Sequence, residues 1–177
     1  SVFCTQKKKS KTNFNVFSLS GKLIRNNFSV QLMESESSCN ISGTSLLGGS
    51  DHLDNFITIS HLVENCKSNQ FFKSVYGEAS SGSFCGKIYV EKGAQKTEAF
   101  QQNNNLMISK KASVNTKPQL EIFADDVICS HGCTIGTIDE GALFYLRSRG
   151  IPKKEGLNLL IIAFLSELIL KIKNKEI

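Results

Sequence analysis

The sequence predicts an all-β fold that ends in two α-helices, and three observations predict it. From about Phe14 to Gly136 the chain is a succession of short segments in which apolar and polar residues alternate, with aromatic and β-branched types dominating. At Ile138 the pattern switches abruptly to helical sequence with a capping residue. Polar residues bunch at SNQ (68–70), QQNNN (101–105) and SHG (130–132), which read as corners between strands, where Asn and Gly tolerate left-handed backbone. Short, regular strands fit a sandwich, a barrel or a β-solenoid, and the bunched corners favour the solenoid.

The expected strands include FNVFSL (14–19), NFITIS (55–60), GKIYV (86–90), NLMIS (105–109) and LEIF (120–123). Residues 1–13, with the basic run Lys7, Lys8, Lys9 and Lys11, read as a flexible start to a β-region spanning 1–137, and 138–177 reads as a helical segment. Asp139 is the expected N-cap of the first helix, with Glu140 in its first turn, where an acid suits the helix dipole. Ala142, Leu143, Phe144 and Leu146 form its apolar stripe, Arg147 and Arg149 lie in its last turn, and Gly150 stops it. Pro152 then suits the first turn of a second helix running to about Lys173. Leu157, Leu160, Ile161, Phe164, Leu168 and Ile172 form one face of that helix, which is expected to close the end of the solenoid. Ile162 and Ile169 lie elsewhere and would be left for a partner. The apolar run 157–172 is shorter than the ~20 residues of a membrane span and is interrupted by Asn158, Ser166, Glu167 and Lys171, so it reads as a buried helix.

A length of 177 residues suffices for a domain with its own core. The net charge of +5 is only mildly basic, and no nucleic-acid-binding pattern accompanies it. The six cysteines are irregularly spaced, and no secretory leader is visible, which fits a reducing cytoplasm or an organelle matrix. The chain contains no Walker motif, nucleophile elbow or HExxH.

Cys129, His131 and Cys133 are the candidate soft-metal donors. In an extended strand these alternate residues share one face, ~6.5–7 Å apart, a spacing suited to a cluster or a shared interface site rather than to one tetrahedral zinc. Neutral imidazole ligates iron, and its second nitrogen then needs a hydrogen-bond acceptor to fix the ring; the alternative is a corner histidine bonding backbone. Cys133 reads as buried packing. His52 and His61 read as structural hydrogen-bonding histidines, Asp125 and Asp126 as a solvated corner, and Cys66 and Cys85 as core.

From Asp51 onward the sequence resembles the SufB/SufD family of iron–sulfur cluster assembly proteins. The segments that carry the resemblance are HLDNFITISHL (52–62), CKSNQFFKSV (66–75), FCGKIYVEKGAQKTEAFQQNNNLMIS (84–109), TKPQLEIFADDVICSHG (116–132) and LFYLRSRGI (143–151). The CSHG form (129–132) points to the SufD branch. The resemblance implies a right-handed parallel β-helix capped by C-terminal helices, with residues 1–50 as earlier coils and the family's usual N-terminal helical region missing. It also implies a non-catalytic scaffold that pairs with a SufB paralogue through the β-helix and engages a SufC ATPase through its C-terminal region. His131 is then the histidine that meets a SufB cysteine at a transient iron–sulfur cluster, with Cys129 beside it and no cofactor held tightly by the isolated chain. Cys133 departs from the family, where a small, alanine-like residue is expected. Phe144, Arg147, Arg149, Ile162 and Ile169 are the expected partner-binding residues, and the isolated chain pairing with itself is left open. The competing readings are a β-solenoid enzyme acting on carbohydrate through Asp125 and Asp126, and a self-contained zinc protein using Cys129, His131 and Cys133. The fragments LLGG (46–49) and TIG (134–136) do not recur every six residues, which argues against a left-handed acyltransferase helix.

Overall fold

The computed structural model describes residues 1–170. Ten strands precede two helices: β1 (Val2–Gln6), β2 (Lys11–Ser18), β3 (Leu23–Leu32), β4 (Ser38–Leu47), β5 (His52–His61), β6 (Lys67–Tyr76), β7 (Ser81–Val90), β8 (Thr97–Met107), β9 (Ser113–Ile122), β10 (Val127–Thr137), α1 (Glu140–Ser148) and α2 (Lys153–Ile169). Odd and even strands separate into two five-stranded parallel sheets, ordered β1-β3-β5-β7-β9 and β2-β4-β6-β8-β10. The chain therefore winds between two facing sheets as a flattened parallel β-solenoid of about five turns, as the sequence predicts. The stretch expected to be flexible, 1–13, contains β1, paired with β3, and the first residues of β2.

Parallel strands need crossover connections, and here each crossover is the strand of the opposite sheet. The register stacks each residue over its counterpart in the next turn. One interior column of the odd sheet reads Val2, Phe28, Ile57, Gly86, Pro118. In the even sheet the corresponding column reads Phe14, Ile41, Gln70, Gln101, His131. The apolar core lies in the earlier turns, around Phe28, Val30, Ile41, Ile57, Ile59, Phe72 and Phe84. Toward the last turns the interior becomes polar, with Gln70, Gln101, Asn103 and Asn105 all buried.

This polar interior corrects the expected corners. The runs 68–70, 101–105 and 130–132 lie inside β6, β8 and β10. Their amides alternate inward and outward like any strand residues; of the inward ones, Asn103 and Asn105 bond within the stack, while the amides of Gln70 and Gln101 have no partner there. Asn105 Nδ2 donates to Asn103 Oδ1 at 2.7 Å and to the Thr134 carbonyl at 3.2 Å. The actual corners lie elsewhere and hold left-handed residues at Lys9, Glu36, Asn65, Glu78 and Lys96, with φ between 49° and 63°, and at Gly49, with φ 55°. Strain at such non-glycine residues is offset by corner-to-corner bonds: the N–H groups of Lys9, Asn65 and Lys96 donate to the carbonyls of Ser35, Gln95 and Asp126 one turn on.

The gap between the sheets is narrow, and glycines seat the larger interior side chains. A Cβ on Gly43 would lie 2.3 Å from the Phe72 ring, and one on Gly82 would lie 2.4 Å from the Tyr76 hydroxyl. His61 is sealed in the interior, where its Nε2 meets Ser68 Oγ at 2.8 Å and its Nδ1 has no partner. Burial pushes its imidazole down to about 4.

Asp139 caps α1 as expected, accepting from the N–H groups of Gly141 and Ala142 at 2.8 and 3.1 Å. Gly150, with φ +86°, ends the turn after α1. Pro152 is the N-cap of α2 rather than part of its first turn. The expectation that α2 closes the solenoid end is not met: α2 lies across the outer face of the even sheet, over β6 and β4. Ile161, Phe164 and Leu165 pack there with Val75, Leu106 and Ile138. The buried Lys73 fastens it, donating to the Phe164 carbonyl at 2.8 Å and pairing with Glu167 at 2.5 Å, with its ammonium 4.6 Å from the Phe164 ring. The reason is the composition of β6, where NQFFKSVY lacks clean alternation because the strand is covered on both faces. Ile172 and Lys173, assigned to this helix from sequence, lie outside the described residues.

Two outcomes follow from these contacts. A histidine whose folded pKa lies below its ordinary value of ~6.5 resists protonation only while folded, so its contribution is present above pH 6.5 and is lost as pH falls toward 4. Chemical denaturation should therefore show a loss of about 2–3 kcal/mol between pH 7 and 4.5, and His61→Gln should flatten that slope. Asp54, held below the ordinary carboxylate range chiefly by the Ser83 hydroxyl, acts only at lower pH. Lys73→Met should cost about 1–3 kcal/mol through the orphaned Phe164 carbonyl, and hydrogen exchange should quicken in α2 before it quickens in β6.

Candidate functional site

β10 is the last strand of the even sheet and pairs only with β8. Its period-two geometry sends Val127, Cys129, His131, Cys133 and Ile135 toward the interior side, over Thr97, Ala99, Gln101, Asn103 and Asn105. Among the described residues no turn stacks above them, so a nominally interior side chain on β10 is open to solvent. His131 is exposed and makes no hydrogen bond among the described residues, whereas Gln101 directly beneath it is buried.

The flanking thiols differ from His131. Cys129 is half-buried against Ile88, Val90, Ala99 and Ala124. Burial raises its pKa, with a backbone hydrogen bond at Ala99 opposing. Cys133 reaches toward the other sheet, with its Sγ 2.9 Å from Thr116 Oγ1 and 3.9 Å from Asn103 Oδ1. The sequence places these three residues on one face and the structure agrees, but they stand in a row and do not converge. Among the described residues no group of three or more His, Cys, Asp or Glu side chains is arranged to hold a metal ion. The self-contained zinc reading therefore lacks a site here. Alternate strand residues sit ~6.5–7 Å apart, and the β8 residues beneath them, Ala99, Gln101 and Asn103, add no soft-metal donor.

On the outward face of β8 and β10 lies a groove of about 490 Å³. Asn69, Phe100, Gln102, Asn104, Ser130 and Thr134 line it together with the strand residues Gln101, His131, Gly132 and Cys133. Asp125 and Asp126 are not part of it. They form the exposed corner before β10, where the Asp126 N–H donates to Gln95 Oε1 at 2.9 Å and its carbonyl accepts from Lys96. That corner role leaves the carbohydrate reading without paired acids in a cleft.

His52 stands on the outer face of the odd sheet, with Nδ1 2.7 Å from Ser81 Oγ and Nε2 3.1 Å from Asp54 Oδ1. Ser83 donates to the same carboxylate oxygen at 2.5 Å. The row lies flat on a sheet surface with no oxyanion donors about it, and it ties adjacent turns together, in keeping with the structural role expected of His52. Phe144, Arg147, Arg149, Ile162 and Ile169 are all exposed, with Phe144 at 71 %, Ile162 at 59 % and Ile169 at 44 %. Arg149 stacks over Tyr145 at 5.3 Å. Sequence reasoning missed the buried amides beneath His131, because QQNNN was read as a corner. No alternation of apolar and polar residues marks TEAFQQNNNL, so the inward face of this strand shows only in the structure, where Thr97, Ala99, Gln101, Asn103 and Asn105 are buried.

Residues 1–164 match the family described as SUF system FeS cluster assembly, SufBD core domain. The chain belongs to the SufBD family. It is 41 % identical over 152 residues to the iron–sulfur cluster assembly protein SufD of Escherichia coli, covering 86 % of this chain and 36 % of that protein. A SufBD family protein of Synechocystis is 37 % identical over 164 residues, 93 % of this chain and 36 % of the relative. SufD of Bacillus subtilis is 35 % identical over 127 residues, 71 % of this chain and 29 % of the relative. The likeness is thus of the SufD type, and the chain spans about a third of the length of these curated relatives. Among the described residues no helix is long and apolar enough to cross a membrane.

Because the donors on β10 stand in a row, the isolated chain equilibrated with zinc and passed over a chelating resin should retain well under one equivalent by elemental analysis. One equivalent that survives and is lost in His131→Ala would restore the closed-site reading.

Proposed function

We propose that this chain is the β-solenoid part of a non-catalytic scaffold subunit on which an iron–sulfur cluster, the cargo, is assembled between two chains. The observation that carries this reading is the position of His131: an exposed, unpartnered imidazole on the free edge strand of the last turn, with too few neighbouring donors to hold a metal alone. Such a ligand is completed only from outside the chain. The open edges of β9 and β10 present unpaired backbone groups suited to strand pairing with a similar solenoid. Ile128, Ile135 and Phe123 are exposed around that end and would be covered by the partner. A SufB paralogue fits this place and would bring further cluster ligands, with Cys129 beside His131 on the shared face. Burial keeps the Cys129 thiol protonated, so it would ligate only after losing its proton to the incoming metal.

The second contact is assigned to the helices. α2 is fixed on one side by Lys73 and by Leu165 and Leu168, and it leaves Ile162 and Ile169 outward. Together with Phe144, Arg147 and Arg149 these residues offer an apolar surface edged with cations for a SufC ATPase, which would supply the nucleotide chemistry in trans. A cytoplasmic or organelle-matrix setting fits the free thiols.

Co-expression of the full-length protein with the SufB and SufC proteins of its own genome, followed by anaerobic size-exclusion chromatography, tests the assembly. His131→Ala should leave the complex and the fold intact while abolishing cluster production in cells that depend on it; full activity would reject the ligand assignment. Ile162→Ala with Ile169→Ala should weaken capture of the ATPase at least tenfold without lowering Tm. A fall in Tm with unchanged capture would move the ATPase contact elsewhere.

A further inference from the structure

Gln70, Gln101 and His131 occupy one interior column in three successive turns of the even sheet. Gln70 is fully buried and Gln101 is 2 % exposed, and none of the four polar atoms on their two amides has a hydrogen-bond partner. A buried amide left so costs on the order of 1–3 kcal/mol per unsatisfied group, so two in one column are not neutral filler. The opposite sheet makes room for the upper one. A Cβ on Gly86 would lie 2.7 Å from Cδ, Nε2 and Oε1 of Gln101, so only glycine there admits the amide. Above Gly86 in the same column stands Pro118.

We propose that Gln101 is a positioning residue for His131: its Oε1 accepts the ring N–H of the imidazole one turn above and so selects the tautomer that presents the other nitrogen outward. Turns stack at ~4.8 Å, and glutamine and histidine side chains have similar reach, so a tilted amide spans the step. In the structure the amide lies against Gly86 without a partner; turned to the ring, its N–H group would donate down the column to Gln70 Oε1 and join the three residues in one chain of hydrogen bonds. The proposal rests on the reading of His131 as a cluster ligand and supplies what that reading requires. A ligating imidazole is held by an acceptor on its second nitrogen, and losing that acceptor typically costs about 10–100-fold in affinity or activity. Two neighbouring candidates are engaged elsewhere: the Cys133 thiol with Thr116, and Asn103 Oδ1 with the Asn105 amide.

The test is the tautomer of His131, read from the ring nitrogens in long-range proton–nitrogen NMR spectra of the ¹⁵N-histidine-labelled chain. Gln101→Met keeps length and volume but removes the acceptor. It should shift the tautomer ratio by a factor of about 2–10, the worth of one net hydrogen bond, while Tm changes little, because Met fills the same volume and removes a polar group whose desolvation offsets the bonds lost. Gln70→Met removes the same kind of amide one turn lower, out of reach of the ring, and should leave the ratio within twofold of wild type. Gln101→Glu retains an acceptor and should restore the wild-type preference. An unchanged ratio in Gln101→Met overturns the proposal whatever His131→Ala does in cells. A shifted ratio with a fully active His131→Ala rejects the ligand reading alone and leaves the positioning contact standing.

Discussion

In-register stacking of parallel strands is the constraint from which the rest of this molecule follows. Each turn lies ~4.8 Å from the next, so the backbone hydrogen bonds that satisfy one strand also fix which side chain sits above which. A one-residue slip would turn every interior residue outward, and the columns therefore hold the register as firmly as the ladders do. The cost of a narrow interior is that bulk in one strand must be matched by its absence in another. Gly43 under Phe72 and Gly82 facing Tyr76 meet that requirement. The corners accept left-handed Lys9, Asn65 and Lys96 because their N–H groups continue the stack.

The same stacking grades the chemistry of the interior. The column that starts with Phe14 and Ile41 passes through Gln70 and Gln101 to His131, so hydrophobic burial anchors one end and polar groups occupy the other. A polar interior is tolerable only where amides bond to one another or to a group above, and it weakens the drive to bury that end. The last turn is consequently left with exposed donors and an unpaired edge, which suits a surface completed by a second chain. Stability is recovered sideways instead: α2 covers the outer face of β4 and β6, and one buried lysine bonds it to the sheet.

Much of this was legible in the sequence. Period-two alternation marked NFITIS and GKIYV as strands, and Asp139 and Gly150 bracketed α1, because these signals act within a few residues. The shared face of Cys129, His131 and Cys133 was legible for the same reason. Two readings failed where long-range context outweighed local pattern. The polar bunches looked like corners because a core of amides violates the usual rule for a buried strand face, and which residues lie beneath and above them is set by the stack alone. β6 showed no clean alternation because both its faces are covered, and the helix that covers it lies about ninety residues further along the chain. The placement of α2 across the sheet face instead of over the end was equally unreadable, since an all-round apolar helix does not say which surface it seeks.

The sequence by itself thus determined the strands and their faces, the capped α1, the row of donors on one edge and the family to which they point, all of which depend on periodicities and motifs spanning few residues. Only the tertiary structure decided that His131 ends an interior column while remaining open to solvent, that Gln101 lies directly beneath it with Gly86 making room, and that the three donors do not close on an ion. Those facts depend on which residues of distant turns coincide, and coincidence is set by register and turn length summed around the whole solenoid, quantities that no local pattern in the chain contains.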